Sequence, residues 1–225
     1  MAKLFGDLED YEIAPLVVFE RVNVDAYIRD CLSHKSENSS NRLTLSGDYL
    51  KPYENVKDAP KEGTIEVLVS PKFALKSNTP DDLEEMSVQY AIDGLILKKE
   101  AAEAFKEMCK ALNDAGLGIY AIKGYSPGSE DDKTSLNFNE YSTGLLVEVV
   151  DITNENVKDF KTSKEAAWLK ENAHKYGFIL RYPEGFEKVT GHEGQSNVYR
   201  YVGKDLATKI YESGLLMEEY CLLYA

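Results

Sequence analysis

The chain alternates between segments with apolar residues at helical spacing and short apolar runs rich in β-branched and aromatic residues. Helical spacing is clearest in 97–116 and 203–214, and each segment ends on a glycine, the residue preferred just beyond a helix C-terminus. The pair Thr162 and Glu165 forms a T-x-x-E pattern that predicts a capping box and a helix carrying Trp168, which we expect in the core. Strands are predicted at 65–70, 117–122, 145–152 and 177–182.

These elements interleave without a regular βαβ rhythm, which indicates an α+β domain. Two polar stretches, 33–41 and 51–63, precede the most patterned part of the chain. We therefore predict an unassigned N-terminal extension over 1–61 and a main domain over 62–225. In the helix predicted at 203–214, the inward positions are expected to be Leu206, Ala207, Ile210 and Tyr211. In the helix predicted at 97–116, Cys109 is expected to be a buried, unreactive thiol.

Composition excludes several classes of function. The 225 residues carry a net charge of −13, which argues against proteins that bind nucleic-acid phosphates or anionic lipid through clustered Lys and Arg. No apolar run approaches the roughly 18 residues of a membrane span, and the apolar piece Pro15–Phe19 is too short for a signal sequence. We expect a chain without a membrane span or signal peptide, either cytoplasmic or an exported domain whose signal has been removed.

Several framework segments resemble one family. These are 101–125, 166–185, 189–191 and 199–220, and with them the chain from about Ile65 onward resembles the VanY-like D-alanyl-D-alanine carboxypeptidases. Members are zinc metallopeptidases that trim the stem peptides of peptidoglycan in the bacterial cell wall. The resemblance implies a hedgehog/DD-peptidase-like fold, with a central, mostly antiparallel sheet flanked by helices.

The family site combines an S-x-H-x-x-G-x-x-x-D segment, which supplies two zinc ligands, with an E-x-W-H segment that supplies the general base and the last ligand. With Gly144 as the motif glycine, the resemblance places two ligand positions at Tyr141 and Glu148. Counting back from the run 199–203 places the third at Val198 and the base position at Gln195. Tyrosine, with a pKa of about 10, is a poor ligand near neutral pH, valine has no donor atom, and an amide cannot accept the proton of a zinc-bound water. We therefore expect neither zinc nor another cofactor, and no catalytic residue.

The family's substrate contacts are altered as well. The turn that carries a carboxylate-binding Arg in the family reads Gly124-Tyr125-Ser126 in this chain, with Ser126 in the Arg position. The residues that the resemblance leaves as candidates for binding in the former cleft are Tyr125, Ser126, Asn197 and Arg200. For the buried Glu148 carboxylate we weigh two partners, the Tyr141 hydroxyl and the Arg200 guanidinium.

Other titratable residues favour structural interpretations. His174 is expected at a helix end, His34 in solvent, and His192 with Glu193 on a solvated loop, with replacement metal ligation as the minor alternative. Asp151 is too far from Gly144 to be the second ligand, and alternation along the strand turns it to the opposite face from Glu148.

Three functions follow. The leading hypothesis is a catalytically inactive homologue of a peptidoglycan carboxypeptidase that binds a stem peptide, a peptidoglycan fragment or another protein. The first alternative is an active carboxypeptidase or amidase with a displaced metal site. The second is a structural subunit of a larger assembly, with residues 1–60 as its contact surface.

Overall fold

The computed structural model describes residue 53 and residues 56–76, 80–127, 138–152 and 160–224. Predictions for His34 and the polar run 33–41 lie outside the described residues, as does the contact role of residues 1–52. Within the described part, no helix has the length and apolar character needed to cross a membrane.

The fold is built around a four-stranded antiparallel sheet. Its strands are β5 (Ile119–Lys123), β6 (Leu146–Asp151), β7 (Phe178–Tyr182) and β8 (Gln195–Tyr201), in the spatial order β5-β6-β8-β7. Two small two-stranded sheets precede it. They pair β1 (Lys57–Asp58) with β2 (Phe73–Ala74), and β3 (Leu83–Glu85) with β4 (Ile96–Lys98).

Five α-helices and two 3₁₀ helices surround the strands in the described residues. The helices are α1 (Lys99–Asp114), α2 (Lys164–Asn172), α3 (Glu187–Thr190), α4 (Lys204–Ser213) and α5 (Met217–Tyr224). The 3₁₀ helices are Glu140–Thr143, directly before β6, and Ala173–Tyr176, directly after α2. The predicted α+β class with a central antiparallel sheet is confirmed.

The two faces of the sheet are covered differently. Val147 and Val149 of β6 point to one face, where they join the main core with Phe105, Met108 and Leu112 of α1. We call this the helical face. Residues of opposite parity, including Glu148 and Val198, point to the other face, which we call the site face. Asp151 has the parity of Val147 and Val149, so its predicted orientation away from Glu148 is confirmed.

Two predicted helices, at 97–116 and 203–214, are present with small changes at their ends. So are the strands predicted at 117–122, 145–152 and 177–182. Gly116 and Gly214 adopt left-handed conformations, with φ of 72° and 65°, just beyond α1 and at the end of α4. Cys109 is buried as expected, and burial raises the pKa of its thiol to about 12. The prediction that Tyr211 faces inward is wrong. Its side chain is 43% exposed and stacks on His174 with ring centroids 3.8 Å apart.

The strand predicted at 65–70 does not form. Apart from an isolated bridge between Ser70 and Phe73, this segment pairs with no strand of the described residues. Its carbonyl groups are taken by side chains instead, because Arg200 Nη2 donates to Val67 O at 3.0 Å and Arg181 Nη2 donates to Val69 O at 2.9 Å. A β-rich sequence is therefore held in place by two guanidinium groups.

The predicted capping box is also wrong in detail. Ser163 caps α2, since its hydroxyl accepts from Ala166 N–H at 3.0 Å, and Glu165 instead accepts a long hydrogen bond from Gly118 N–H at 3.4 Å. Trp168 is half-buried at the margin of the core, where it stacks on Tyr176. The helix is present, but its Trp contributes less burial than a core position would.

A buried network of ion pairs lies on the site face. The Glu140 carboxylate accepts from Arg200 Nε at 2.8 Å and from Arg181 Nε at 2.7 Å, and the Tyr182 hydroxyl donates to it at 3.2 Å. Arg181 also reaches Glu218 on α5, at 2.7 Å. Because the four charged side chains are at most 2% exposed, this network has two positive and two negative charges that water does not screen.

We expect Glu140→Gln to destabilise the fold by about 3–5 kcal/mol, because it leaves the buried Arg200 guanidinium without a carboxylate and Arg181 with only that of Glu218. Urea denaturation gives this free energy of unfolding directly. The matched control is Glu184→Gln, which removes an exposed ion pair with Lys161 and should change stability by less than about 1 kcal/mol. Equal, small effects of the two substitutions would contradict the structural role of the network.

Candidate functional site

The fold brings the three predicted ligand positions together. Glu148 of β6 lies directly opposite Val198 of β8 in the strand register, and the 3₁₀ helix before β6 carries Tyr141 over the same end of the sheet. The connection depends on Gly144, which ends the 3₁₀ helix with φ of 69°. A Cβ there would lie 3.0 Å from the backbone nitrogen of Lys98, so both the conformation and the space favour glycine.

Tyr141 and Glu148 form a hydrogen-bonded pair, which is one of the two predicted arrangements. The Tyr141 hydroxyl donates to Glu148 Oε2 at 3.4 Å, which is long for such a bond. Burial, and secondarily the charge of Glu148, raise the pKa of Tyr141 above its ordinary value. The phenol therefore stays protonated near neutral pH and acts as a donor to the carboxylate.

Asn197 lies beneath this pair. Its amide Nδ2 donates to Val149 O at 3.0 Å and to Glu148 Oε1 at 3.5 Å. The pairing of β6 with β8 ends at Glu148 and Val198, so the side-chain amide bonds to the strand where the backbone ladder stops. The sequence predicted that Asn197 lines the cleft. It is only 2% exposed, so it supports the carboxylate from below rather than facing a ligand.

Val198 is fully buried and makes apolar contacts only. It packs with Leu146 and Tyr182, and the Tyr141 ring covers this small cluster. The side chain at the third ligand position is therefore part of a continuous apolar floor.

Lys123 is a residue of the site that the sequence did not indicate. It is the last residue of β5, pairs in register with Glu148, and places its ammonium 4.0 Å from the centroid of the Tyr141 ring. This is a cation–π contact at a largely exposed position. The register shift between Ala121 and Lys123 decides its direction, and a β-bulge of this kind leaves no recognisable signal in a single sequence.

The turn with the altered Arg position borders the site as predicted. Ser126 N–H donates to Tyr141 O at 3.3 Å, and Ser126 O accepts from Asn139 Nδ2 at 3.0 Å. Tyr125 N–H donates to Ile96 O at 2.7 Å, which anchors the same turn to β4. Both Tyr125 and Ser126 are half-buried beside the 3₁₀ helix.

Arg200 occupies a different environment from the one predicted. It has the parity of Val198 on β8, but its side chain is 0% exposed and bonds to Glu140, to Tyr201 O and to Val67 O. The alternative pairing of Arg200 with Glu148 is wrong, because the guanidinium is already held by a carboxylate one residue before Tyr141. The Arg200 guanidinium is buried against Glu140, the residue before Tyr141, and is not exposed to a ligand.

Gln195 and His192 lie at the margin of the site. Gln195, at the predicted base position, begins β8 and pairs with Tyr182. His192 is exposed as a residue, but its ring lies over the Tyr182 ring with centroids 4.4 Å apart. This local burial, and then the charge of Arg181, lower the pKa of His192. In the part of the chain that the structure describes, no three His, Cys, Asp or Glu side chains cluster as metal ligands would.

Comparisons with known proteins match this architecture. Residues 133–204 match the family model of VanY, D-alanyl-D-alanine carboxypeptidase. YodJ of Bacillus subtilis (strain 168), a protein assigned to the carboxypeptidases, is 29% identical over 216 residues, covering 84% of this chain and 79% of its own. A D-alanyl-D-alanine carboxypeptidase of Enterococcus faecalis (strain ATCC 700802 / V583) is 34% identical over 120 residues, covering 51% of this chain and 43% of the enzyme.

Among solved structures, the LdcB LD-carboxypeptidase, described for the molecular basis of its peptidoglycan recognition, superimposes with a TM-score of 0.63. It is 28% identical, and the match covers 78% of this chain and 94% of LdcB. The sheet, its flanking helices and the site where the pairing of β6 with β8 ends thus define a peptidoglycan carboxypeptidase-like domain. The chain therefore contains a domain of the VanY D-alanyl-D-alanine carboxypeptidase family, matched over residues 133–204.

We expect Asn197→Asp to destabilise the protein more than Asn197→Ala, although aspartate is closer in shape to asparagine. A carboxylate would face two acceptors, Glu148 Oε1 and Val149 O, without a proton to donate. The pKa of the introduced carboxyl group would be raised in the folded state, so the deficit relative to the parent should shrink as the pH falls and that group is protonated. Urea denaturation between about pH 7 and about pH 4.5 measures this.

The matched control adds Glu148→Gln to Asn197→Asp. Removing the neighbouring charge should restore part of the lost stability near neutral pH. A deficit that is independent of pH and unchanged in the double variant would contradict the contact between Asn197 and Glu148.

Proposed function

We propose that this protein is a non-hydrolytic member of its family, whose cleft binds a peptide or peptidoglycan fragment without cleaving it. The observation that carries the proposal is the arrangement at the three ligand positions, where Tyr141 is hydrogen-bonded to Glu148 and Val198 packs in an apolar cluster. The same backbone positions are brought together as the family site requires, but with side chains of different chemistry.

A catalytic zinc ion needs three protein ligands and an open position for water. Of the three side chains at these positions, Glu148 alone carries a carboxylate. Tyr141 keeps its proton, because its pKa is raised, and Val198 has no donor atom. These residues do not fit a zinc ion.

Electrostatics support the same proposal. The Lys123 ammonium lies 4.0 Å from the centre of the Tyr141 ring, so a divalent cation at this position would be placed beside an existing positive charge. The Glu148 carboxylate is also already engaged by two donors, Tyr141 Oη and Asn197 Nδ2.

The base position gives an independent argument. Hydrolysis requires a group that takes the proton from the attacking water, and the neutral amide of Gln195 cannot accept it. A metal bound elsewhere in the cleft would therefore still lack this base.

Recognition does not require the lost chemistry. The turn at Tyr125 and Ser126 is still held by backbone hydrogen bonds to Ile96 and to Tyr141, and the start of β8 is still paired with β7. The peptidoglycan recognition for which LdcB is described supports a cell-wall peptide as the ligand of this cleft.

We expect the purified protein, stripped with chelator and then dialysed against micromolar zinc, to retain far less than one zinc per chain by elemental analysis. The control is the quadruple variant Tyr141→His, Glu148→Asp, Gln195→Glu and Val198→His, which restores the ligands and the base and should bind zinc. Both proteins are then incubated with an acyl-L-Lys-D-Ala-D-Ala peptide, and we expect no release of D-alanine by the parent.

One zinc per parent chain together with peptide hydrolysis would overturn the proposal in favour of an active enzyme with a displaced metal site. Tight zinc binding by the single variant Val198→His would also contradict it, since that result requires metal ligands beyond Tyr141, Glu148 and the introduced histidine.

A further inference from the structure

We propose that the groove beside the outer edge of β7 binds residues 16–20 of the same chain as an additional strand. We call these residues, Leu16–Glu20, the N-terminal segment; they lie outside the described residues. This inference is independent of the proposed function, because the groove is separate from the site at the ligand positions.

The groove has a volume of about 690 Å³ and lies along β7, between α2 and the connection from α4 to α5. Its walls are mainly apolar, and two exposed apolar side chains of the domain, Leu180 and Tyr211, line it. The described residues that line it include none of the ligand positions Tyr141, Glu148 and Val198. A cavity of this size and character is typical of a binding site.

The outer edge of β7 has unpaired backbone groups. Gly177 O accepts from Val202 N–H at 2.8 Å, and bonded pairs alternate along an antiparallel ladder, so Ile179 also bonds toward β8. The N–H and C=O groups of Phe178 and Leu180 therefore point away from β8, and they have no backbone partner within the described residues. Phe178 is nevertheless only 1% exposed. Buried backbone groups are rarely left unpaired, and an open sheet edge accepts another strand.

The walls of the groove favour a segment that is apolar on both faces. Leu169 and Tyr199 belong to the main core, whereas Ile210 and Met217 belong to a second apolar cluster. A strand added to β7 directs alternate side chains to the two sides of the sheet, so both sets of its side chains would meet apolar surface. Residues 16–19, Leu-Val-Val-Phe, are a continuous apolar run with β-branched and aromatic residues, as this position requires.

The chain enters the described structure close to the groove. Tyr53 N–H donates to Pro71 O at 3.0 Å, and the Tyr53 hydroxyl lies 3.4 Å from the position that a Cβ on Gly191 would occupy. Gly191 ends α3, and Phe186, at the other end of this four-residue helix, lines the groove. The helix is about 6 Å long, whereas the roughly 30 residues between Glu20 and Tyr53 would span on the order of 30 Å as a flexible coil. The N-terminal segment is therefore within reach.

Charge complements the apolar contacts. Lys161 at the groove is paired with Glu184, and Arg181 is neutralised within the buried network. Lys170 also lines the groove, is exposed and forms no ion pair with a described residue. Residues 7–25, which surround the N-terminal segment, contain six acidic residues and one basic residue. Lys170 would thus face an acidic stretch of the same chain.

The first test is amide hydrogen exchange at Phe178 and Leu180, measured by NMR on the full chain. The variant carries Val17→Pro together with Val18→Pro. Consecutive residues of a strand point to opposite sides, so one of the two prolines removes an N–H that would bond to β7. We expect both amides to exchange at least about tenfold faster in this variant than in the parent, equivalent to about 1.4 kcal/mol. The matched control, Ser39→Pro with Ser40→Pro in the polar run, should leave their exchange unchanged.

The second test is calorimetric titration with a synthetic peptide of residues 12–22. It should bind the Val17→Pro, Val18→Pro variant at least about tenfold more tightly than the parent, because the tethered segment competes at an effective concentration on the order of millimolar. Adding Leu180→Asp, or independently Tyr211→Asp, to the proline variant should abolish that binding. Val88→Asp changes an exposed apolar residue outside the groove and should preserve it. Thermal denaturation confirms that each variant is folded.

Exchange at Phe178 and Leu180 that is equally fast in the parent and the proline variant, or equally slow in both, would overturn the inference. So would a peptide that binds neither protein, or one whose binding is unaffected by both groove variants. Protection that depends on protein concentration and is lost on dilution would assign the edge to a second copy of the chain and overturn docking within one chain.

Discussion

The carboxylate of Glu140 is the group on which most of this structure depends. It is buried in a 3₁₀ helix at the end of the sheet, and it is neutralised by arginines from two adjacent strands, β7 and β8. A buried charge without partners is very costly, so these groups must be brought together whenever the protein folds. Each arginine then uses its remaining donors on another part of the chain.

These additional bonds explain why distant segments are held in place. Arg200 and Arg181 bind the carbonyl groups of Val67 and Val69, which are 133 and 112 residues away in the sequence. Arg181 also binds Glu218 of α5, so the N-terminal side of the domain and its last helix meet at one guanidinium. The residue after Glu140 is Tyr141, and the network therefore also fixes the position of the site.

The backbone of the site and the chemistry of its side chains are set by different interactions. Backbone register, the left-handed Gly144 and the pairing of β6 with β8 depend on hydrogen bonds and space, not on the identity of Tyr141, Glu148 or Val198. Side chains at those positions can change from one chemistry to another provided that the apolar floor remains packed and the carboxylate remains hydrogen-bonded. For this reason membership of the family and activity are separate questions.

The sequence by itself determined the parts of this protein that depend on local physics. The apolar periodicity of α1 and α4, the glycines that end them and the runs that form β5, β6 and β7 are local signals, and the structure contains these elements. The resemblance to the family motif, with its register set by Gly144 and by the run Tyr199–Gly203, placed Tyr141, Glu148 and Val198 at one site, and the structure brings them together.

Only the tertiary structure decided how buried charges are paired and where irregular backbone occurs. Arg200 binds Glu140 rather than Glu148, 65–70 remains outside the sheet, and Lys123 enters the site through a β-bulge. Each outcome depends on residues far apart in sequence competing for the same donor or acceptor. Local pattern carries no information about that competition, because the free energy of a buried hydrogen bond or ion pair is set by the groups that surround it after folding.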